Sequence, residues 1–235
     1  MIFREGSKAS AIGRQAFYEC SALTEIDFAD SIEKIDEYAF AYCTSLKEVE
    51  LPENLKNLGK SAFGYCTSLE TVRVYNNIEN FNTETSFNEC PNLVNIVADE
   101  DNPYFTVIDG VMFSKDMKTL ISYPSSKQDK EYIIPEGILK IGKNAFNGNE
   151  YIERVILPSS LKVIGDKAFY STPSLKQYVF MSMEAPVLEC SYDAEYNLNY
   201  CNFGGRIGET EGIKMYYLSG AEGFDTYIWQ LYFGK

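Results

Sequence analysis

We predict that this chain of 235 residues folds as a solenoid around a parallel β-sheet, because three features recur along it. Alternating apolar residues, as at Val49 and Leu51 among charged neighbours, indicate a strand with one buried face. A proline such as Pro52 then ends the strand, since proline cannot donate to a ladder. One such repeat cannot bury its apolar side alone, so successive repeats must stack. The third feature is a recurring Ala-Phe pair whose phenylalanines are 23 or 24 residues apart, except for a 59-residue gap from Phe87 to Phe146 that holds an insertion. The pairs are Ala16-Phe17, Ala39-Phe40, Ala62-Phe63, Ala145-Phe146 and Ala168-Phe169, with Ser86-Phe87 as a variant.

Each position around the Ala-Phe pair has a structural explanation. The phenylalanine supplies the bulk of the outer wall, and the alanine is small enough for a tight bend. The slot three residues before the alanine, or four before Ser86 in the longer repeat, holds only residue types that tolerate a positive φ, so we expect a left-handed turn there. Its members are Gly13, Asp36, Gly59, Asn82, Gly142 and Gly165.

Four of the six cysteines share the slot three residues after the phenylalanine, and Asn149 and Thr172 fill it in later repeats. Stacked side chains point the same way, which is poor geometry for a disulfide, and the Cys-x-x-Cys spacing of zinc sites is absent. We therefore expect structural thiols in a slot that takes a small side chain able to bond to a turn. Cys190 and Cys201 lie outside this slot, and a disulfide between them stays open. The four slot members are Cys20, Cys43, Cys66 and Cys90.

The whole repeat reads Leu-x-x-Ile-Gly-x-x-Ala-Phe-x-x-Cys-x-x-Leu-x-x-Val-x-Leu-Pro, most clearly from Leu55 to Leu69 and from Leu46 to Pro52. It resembles the BspA-like leucine-rich repeat family over about Ile12 to Met181. The resemblance implies a leucine-rich repeat solenoid with a parallel β-sheet on the concave side and turns and short helical segments on the convex side. It also implies an inserted β-hairpin and a C-terminal cap. We expect the solenoid to span residues 1–182, with the hairpin-bearing insertion at about 99–130, and the capping segment to span residues 183–235.

The two ends of the solenoid differ. A solenoid exposes an apolar face at each end, so we expect aromatic residues of the tail, including Phe224 and Trp229, to cap one end. Stacking of Trp229 on a sugar ring is the alternative. Residues Met1 to Ala11 contain no convincing cap, so either Ile2 and Phe3 form a worn first strand or the chain was cut from a longer one.

Composition argues against several classes of function. The 21 Lys and Arg residues against 34 Asp and Glu give a net charge of −13, which opposes binding to nucleic acid or to anionic membranes. The chain has no histidine, which removes the commonest general base and His-ligated zinc. No apolar run reaches the roughly 18 residues that span a bilayer, and Met1 to Ser10 is too polar for a signal peptide. We expect no nucleic-acid partner, no membrane insertion and no cofactor.

The acidic residues offer no clear site. The run Asp99-Glu100-Asp101-Asn102 could supply oxygen ligands to calcium, but it lacks the spacing and the glycine of a calcium loop, so a solvated turn is favoured. Glu48 and Glu50 are neighbouring outward positions of one strand, not an acid and a base across a cleft. We expect no catalytic residue.

The strand positions that the core leaves outward are the most available for binding. They form two rows, read repeat by repeat. The second row is polar at first and then apolar, and an exposed apolar row marks an interaction site. One alternative is that the hairpin or the tail covers the row. The other is that apolar residues occupy these positions only because they favour β-strands. The first row is Glu25, Glu48, Thr71, Asn95, Glu131, Arg154 and Gln177. The second is Asp27, Glu50 and Arg73, followed by Val97, Ile133, Ile156 and Val179, which we call the apolar stripe.

These features predict a non-catalytic protein–protein interaction module that binds a protein ligand through the apolar stripe, with Arg73 and Arg154 beside it. The family resemblance implies a surface-exposed or secreted protein that acts in adhesion, although the chain shows no signal peptide. The alternatives are a cytoplasmic scaffold and a structural spacer within a larger protein. An enzyme is the least favoured class.

Overall fold

The computed structural model describes residues 6–75, 78, 80–81, 86–99, 102–189, 191–193, 198–200, 213–226 and 229. The chain forms two compact units: residues 1–115 with 124–126, and residues 116–123 with 127–235. Both units consist of stacked parallel strands joined by turns, and their described residues contain almost no helix. The predicted solenoid is therefore confirmed, whereas the division at residues 182 and 183 stays a prediction. Below, one 23-residue repeat is called a rung.

The described part of the first unit has nine strands. They are β1 (Ala11–Ile12), β2 (Lys34–Ile35), β3 (Glu48–Glu50), β4 (Asn57–Leu58), β5 (Thr71–Val74), β6 (Asn80–Phe81), β7 (Asn95–Ala98), β8 (Phe105–Ile108) and β9 (Val111–Ser114). One parallel sheet has the order β1-β2-β4-β6, and another has the order β3-β5-β7. Strands β8 and β9 pair antiparallel, as expected of the insertion. Asp109 and Gly110 connect them with φ of 51° and 79°, the left-handed pair that a tight hairpin turn needs.

The second unit repeats this arrangement. Its described strands are β10 (Thr119–Ser122), β11 (Glu131–Ile133), β12 (Lys140–Ile141), β13 (Arg154–Leu157), β14 (Val163–Ile164), β15 (Gln177–Phe180), β16 (Val187–Leu188), β17 (Ser191–Asp193), β18 (Leu198–Tyr200) and β19 (Lys214–Tyr217). One parallel set runs β10-β12-β14-β16, and the other runs β11-β13-β15-β19. Strands β17 and β18 pair antiparallel. The strand β19 comes from the tail, so the tail lengthens the second sheet by one strand.

The phenylalanines of successive rungs stack on one another in the core. In the first unit the ring centroids of Phe17, Phe40 and Phe63 lie 5.0 and 5.1 Å apart with nearly parallel planes. In the second unit Phe146 and Phe169 stack at 4.7 Å. The backbone N–H of Phe17, Phe40 and Phe146 donates to the carbonyl of the alanine in the next rung at 2.7 Å, and that of Phe63 donates to Ser86 O at 2.9 Å. The Ala-Phe pair therefore joins rungs through both ring packing and a hydrogen bond.

The insertion contains one rung position that has no Ala-Phe pair. Tyr123 stacks on Phe146 with centroids 4.7 Å apart, and its N–H donates to Ala145 O at 2.7 Å, as a phenylalanine of the ladder would. It stands 23 residues before Phe146 and follows a serine, as Phe87 does. These two features are the sequence signals that could have identified it.

The predicted left-handed turn at the glycine slot is wrong. None of Gly13, Gly59 and Gly165 has a positive φ, and Asn82 lies outside the described residues. The left-handed residues instead stand two places before and after the phenylalanine, as Tyr38 and Tyr42 do with φ of 57° and 63°. Their side chains tolerate αL because the bonds between rungs fix the backbone there.

Glycine is needed at Gly59 and Gly165 because neighbouring rungs approach too closely there for a side chain. A Cβ on Gly59 would lie 2.5 Å from the backbone nitrogen of Glu37, and one on Gly165 would lie 2.5 Å from that of Lys143. Gly13, in the first rung, has nothing within 4 Å of the corresponding point. Close approach of the backbones, and not a positive φ, therefore explains glycine at these two rungs, whereas the second rung has Asp36 in the same slot.

The cysteine slot bonds each rung to the one before it. The Sγ of Cys43 donates to Phe17 O at 3.3 Å, Cys66 Sγ donates to Phe40 O at 3.3 Å, and Cys90 Sγ donates to Phe63 O at 3.1 Å. All three side chains are buried and free of disulfides, whereas Cys20 in the first rung is exposed. The expectation of structural thiols is confirmed for these residues. Cys190 and Cys201 lie outside the described residues.

The later occupants of the slot also bond to backbone. Thr172 Oγ1 donates to Phe169 O at 2.6 Å, and Asn149 Nδ2 donates to Lys127 O at 2.9 Å. Asn149 Oδ1 accepts from the N–H groups of residues 151 and 152. The side chain in this slot therefore satisfies buried backbone groups where the chain leaves the turn.

The described aromatic residues of the tail pack on the last rung. Trp229 is only 2% exposed, and its ring meets Phe180 of β15 at 5.3 Å and Phe224 at 5.3 Å. These contacts agree with a capping role. Because the indole is buried, it has no free face for stacking on a sugar. Ile2 and Phe3 lie outside the described residues.

Candidate functional site

Three residues of the apolar stripe form one continuous row in the second unit. Ile133, Ile156 and Val179 are register partners on β11, β13 and β15. Ile133 is 61% exposed, and the other two are half-buried. Their strand neighbours Val155 and Tyr178 point into the core and are fully buried, so the outward row is not part of the core. An aliphatic row that the core does not need remains on the sheet surface.

The tail extends this row and does not cover it in its described residues. Tyr216 on β19 is the register partner of Val179 and is 45% exposed. The next residue, Tyr217, is also exposed and stacks on Phe224 at 4.7 Å. The expectation that the tail folds over the stripe therefore fails for β19, which adds an aromatic side chain to the row.

Arg154 lies on the neighbouring row of the same sheet. Its Nη1 donates to Glu131 Oε2 at 2.8 Å, and both side chains are partly exposed. The register places Glu131, Arg154, Gln177 and Lys214 side by side, each two residues from a member of the apolar row. Polar groups thus border the apolar row, as in protein interfaces with an apolar centre and a polar rim.

The remaining predicted residues, Arg73 and Val97, lie in the first unit. They are register partners on β5 and β7, and Val97 is half-buried. Arg73 Nε lies 3.8 Å from Glu50 Oε1, and its Nη1 lies 3.9 Å from Asp99 Oδ1. The apolar stripe is therefore divided, with Val97 in the first unit and the other three members in the second.

A small pocket opens beside β3 in the first unit, with a volume of about 190 Å³. Tyr75 and Glu50 both line it, and the Tyr75 hydroxyl donates to Glu50 Oε1. This hydrogen bond, together with partial burial and the charge of Glu50, raises the pKa of Tyr75 to about 12. The phenol therefore stays protonated at neutral pH and holds the carboxylate in place. Four carboxylates line the pocket, from Asp27, Asp30, Glu50 and Glu53.

The described residues provide no recognisable metal or cofactor site. No group of three His, Cys, Asp or Glu side chains among them is placed to hold a metal ion. Asn102, from the acidic run, is buried and accepts from the N–H groups of Tyr104 and Phe105, so it shapes a turn. Glu100 and Asp101 lie outside the described residues. Within the described part of the chain, no helix has the length and apolar character needed to cross a membrane.

Sequence reasoning missed two contributors to these surfaces. Tyr216 belongs to no repeat, so the period gave no reason to align it with Val179. The sequence feature that could have identified it is the strand-like pattern of residues from Lys214 to Tyr217. Tyr75 stands one residue after β5, and its proximity to Glu50 follows only from the parallel register. A strand-by-strand alignment extended by two residues would have placed Tyr75 beside the second outward row, two residues after its member Arg73.

Comparison with known proteins assigns the family. The sequence matches the BspA type Leucine rich repeat region in six copies, over residues 10–129 and 122–210. The chain therefore belongs to the BspA-type leucine-rich repeat family. Such repeats are typical of protein-interaction modules, and the family and fold are generally non-catalytic. A search of curated proteins found no significant match.

Solved structures share the fold. A leucine rich cell surface protein from Faecalibacterium prausnitzii A2-165 is 29% identical with a TM-score of 0.59, over 79% of this chain and 56% of that one. A leucine-rich repeat protein from Eubacterium ventriosum is 19% identical with a TM-score of 0.60, over 76% of this chain and 54% of that one. The pneumococcal vaccine antigen PcpA is 21% identical with a TM-score of 0.52, over 91% of this chain and 68% of that one. The chain spans little more than half the length of the first two proteins.

Proposed function

We propose that this chain is a non-catalytic adhesion module that binds a protein ligand on the exposed sheet of its second unit. The observation that carries the proposal is the apolar row of Ile133, Ile156, Val179 and Tyr216. This row is outward on a sheet whose core is already filled by the alternate positions of the same strands. A rigid sheet with an apolar row and a polar border suits recognition of a protein surface.

A location at the cell surface is part of the same proposal. It is supported by the cell-surface description of the Faecalibacterium protein and by the vaccine-antigen description of the pneumococcal one. An adhesion module there would meet proteins of other cells or of the surrounding matrix. The ligand would contact the row with an apolar patch of its own, because burial of aliphatic area provides the main attraction.

The test compares capture of extracellular-matrix proteins and of cell lysate by the wild type and by the Ile133→Asp, Ile156→Asp variant. We expect the variant to lose the partner that the wild type retains, because two charges would be buried in an apolar interface. Val187→Asp is the matched control, since Val187 is an exposed strand residue at 65% but lies on the other sheet of the same unit. Circular dichroism and thermal melting confirm that all variants fold.

A partner retained equally by the wild type and by the Ile133→Asp, Ile156→Asp variant would refute the apolar row as the binding site. Loss of the partner in the Val187→Asp variant as well would show a general effect of added charge. The compartment of a specifically retained partner decides between surface adhesion and an intracellular scaffold.

A further inference from the structure

We propose that Tyr42 and Tyr65 form a site of oxidative modification, at which a haem peroxidase with hydrogen peroxide joins the two phenol rings as a dityrosine cross-link. The new bond fastens two neighbouring rungs of the first unit to each other. This inference is independent of the proposed ligand binding, because the two tyrosines belong to the first unit and the apolar row belongs to the second.

The rings of Tyr42 and Tyr65 stack face to face. Their centroids lie 4.5 Å apart, and their planes differ by only 1°. Because the two rungs repeat the same backbone turn, the rings are close to translated copies of each other. The ring carbons beside the two hydroxyl groups therefore lie about one centroid distance from their counterparts. Those carbons are the ones that dityrosine joins.

The backbone holds the pair in this arrangement. Both tyrosines stand two residues after a ladder phenylalanine, with φ of 63° and 60°. The N–H of Tyr42 donates to Gly64 O at 2.9 Å, and the N–H of Tyr65 donates to Asn88 O at 2.9 Å. These bonds keep successive rungs roughly 4.8 Å apart, the spacing of neighbouring strands. The same left-handed backbone in both rungs aims both side chains in one direction, so the rings meet without strain between the rungs.

An oxidant can reach this pair from solvent, because both side chains are only half-buried. Two other tyrosine contacts are less suitable. Tyr18 is 36% exposed, but it meets Tyr42 edge-on, with planes 68° apart and centroids at 5.3 Å. Tyr123 and Tyr132 are tilted by 59°, and Tyr123 is only 2% exposed. Parallel rings and access to solvent thus coincide at Tyr42 and Tyr65.

The reaction removes two electrons and two protons from the pair. Partial burial raises the pKa of Tyr65, so its phenol carries its proton at neutral pH. Each phenol gives one electron to the oxidant and its hydroxyl proton to water, which leaves a neutral phenoxyl radical. The unpaired electron is shared between the oxygen and the ring carbons beside it, while the carbon opposite is blocked by the side chain.

The two radicals then combine. One ring carbon of each tyrosine contributes its unpaired electron to a new C–C bond. The hydrogen on each of these carbons leaves as a proton, and each oxygen regains a proton from water, which restores both aromatic phenols. Hydrogen peroxide accepts the two electrons and two protons and becomes two molecules of water. The fold contributes proximity, since prior orientation of two reacting groups accelerates their coupling strongly.

The thiols next to the pair are poor competitors for the oxidant. Cys43 and Cys66 follow the two tyrosines directly in sequence, but both are buried. Burial raises the pKa of Cys43 to about 11 and raises that of Cys66 as well, so neither forms the readily oxidised thiolate at neutral pH. Cys20 is exposed, so iodoacetamide must block it before the oxidation is tested.

The test treats the alkylated full chain with a haem peroxidase and hydrogen peroxide at neutral pH. Size-exclusion chromatography isolates the monomer, and mass spectrometry of its peptides identifies the joined residues. We expect a monomer that is lighter by two hydrogen atoms, shows dityrosine fluorescence and joins Tyr42 to Tyr65. The yield per chain should not change when the protein is diluted, because both rings belong to one chain.

Three variants test the position of the cross-link. Tyr42→Phe and Tyr65→Phe keep both rings but remove one phenol each, so we expect both to lose the dityrosine of the monomer. Tyr18→Phe is the matched control, since it removes a phenol that also contacts Tyr42 but leaves the parallel pair intact. We expect it to keep the wild-type yield. Circular dichroism confirms that all three variants fold.

A second measurement tests the effect on the fold. The cross-link joins residues 23 positions apart, and closing such a loop lowers the conformational entropy of the unfolded chain. We expect the equilibrium constant for unfolding in urea to fall roughly tenfold or more in the cross-linked monomer. Equal stability of the cross-linked and untreated monomers would refute the fastening of the two rungs.

The proposal is wrong if Tyr42→Phe or Tyr65→Phe retains the dityrosine of the wild-type monomer, or if the joined peptides contain mainly other tyrosines. Loss of the product in Tyr18→Phe would also overturn it, because the edge-on contact would then be required. Equal yield from the chain unfolded in urea would show that the stacked geometry has no part in the coupling. None of these outcomes affects the apolar row, which the Ile133→Asp, Ile156→Asp variant tests separately.

Discussion

Replacement of the slot glycines by alanine should give opposite results at different rungs. Gly59→Ala places a methyl group 2.5 Å from the nitrogen of Glu37, although ordinary contacts begin at about 3.4 Å. The N–H of Gly59 donates to Ile35 O at 2.8 Å, so the two rungs cannot move apart without weakening that hydrogen bond. Gly13→Ala makes the same chemical change where nothing lies within 4 Å.

The expected magnitudes follow from these contacts. Overpacking costs about 1–3 kcal/mol, and a weakened hydrogen bond costs about 1 kcal/mol more. Replacing glycine by alanine also lowers the conformational entropy of the unfolded chain, which stabilises the folded state by about 0.4–1 kcal/mol. The free energy of unfolding should therefore fall by about 1–3 kcal/mol for Gly59→Ala, which lowers Tm by roughly 2–12 °C at this chain length. For Gly13→Ala only the entropic gain applies, so stability should stay equal or rise slightly.

Urea unfolding followed by circular dichroism measures the three variants, with Gly165→Ala as a repeat of the test in the second unit. Its added Cβ would also lie 2.5 Å from backbone, at Lys143 N, so it should behave as Gly59→Ala does. Equal loss of stability in Gly13→Ala and Gly59→Ala would refute the close-approach explanation. So would a Gly59→Ala protein as stable as the wild type.

Two further predictions concern the thiols of the cysteine slot. Iodoacetamide at pH 8 should alkylate exposed Cys20, while buried Cys43, Cys66 and Cys90 should react only after unfolding in urea. Peptide mass spectrometry measures alkylation at each cysteine. Equal alkylation rates at all four cysteines of the folded protein would contradict the buried ladder. Burial raises the pKa of Cys43 to about 11 and that of Cys90 to about 12, from 9.0 in an exposed thiol. Because these folded values exceed the unfolded ones, the thiols contribute full stability below about pH 9 and lose that contribution as the pH rises through 11 to 12. Urea unfolding between pH 7 and 11 should show the decline, and a flat profile would argue against buried thiols.

The repeat made most of the fold predictable. Period and alternation placed Val49, Val72 and Val155 inward, because a strand with one buried face leaves a periodic trace in sequence. The same reasoning failed at Gly59, since close approach of backbones and positive φ both select glycine. The sequence alone does not distinguish those two causes. The place of Tyr123 in the aromatic ladder was not predicted either, because a tyrosine there takes the position of a phenylalanine without an Ala-Phe pair in the sequence.

The candidate surfaces were only partly predictable. The inward and outward alternation identified Ile133 and Ile156 correctly as outward residues. The division of the stripe between two compact units leaves no mark in the repeat, so Val97 was grouped with residues of the other unit. The pocket required knowledge of which side chains meet across strands, as Tyr75 and Glu50 do. Pairing of that kind depends on register and rotamer, which the period alone does not specify.

The bonds between rungs also bear on how such a chain changes in length. The three buried thiols of the ladder donate backward to the preceding rung, while the N–H groups of Phe17, Phe40 and Phe63 donate forward to the following one. A complete rung copied into the chain would thus find a donor or acceptor waiting on both sides. Duplication or loss of 69 nucleotides, three for each of 23 residues, is therefore the step by which a gene of this kind can lengthen or shorten its product without unfolding it.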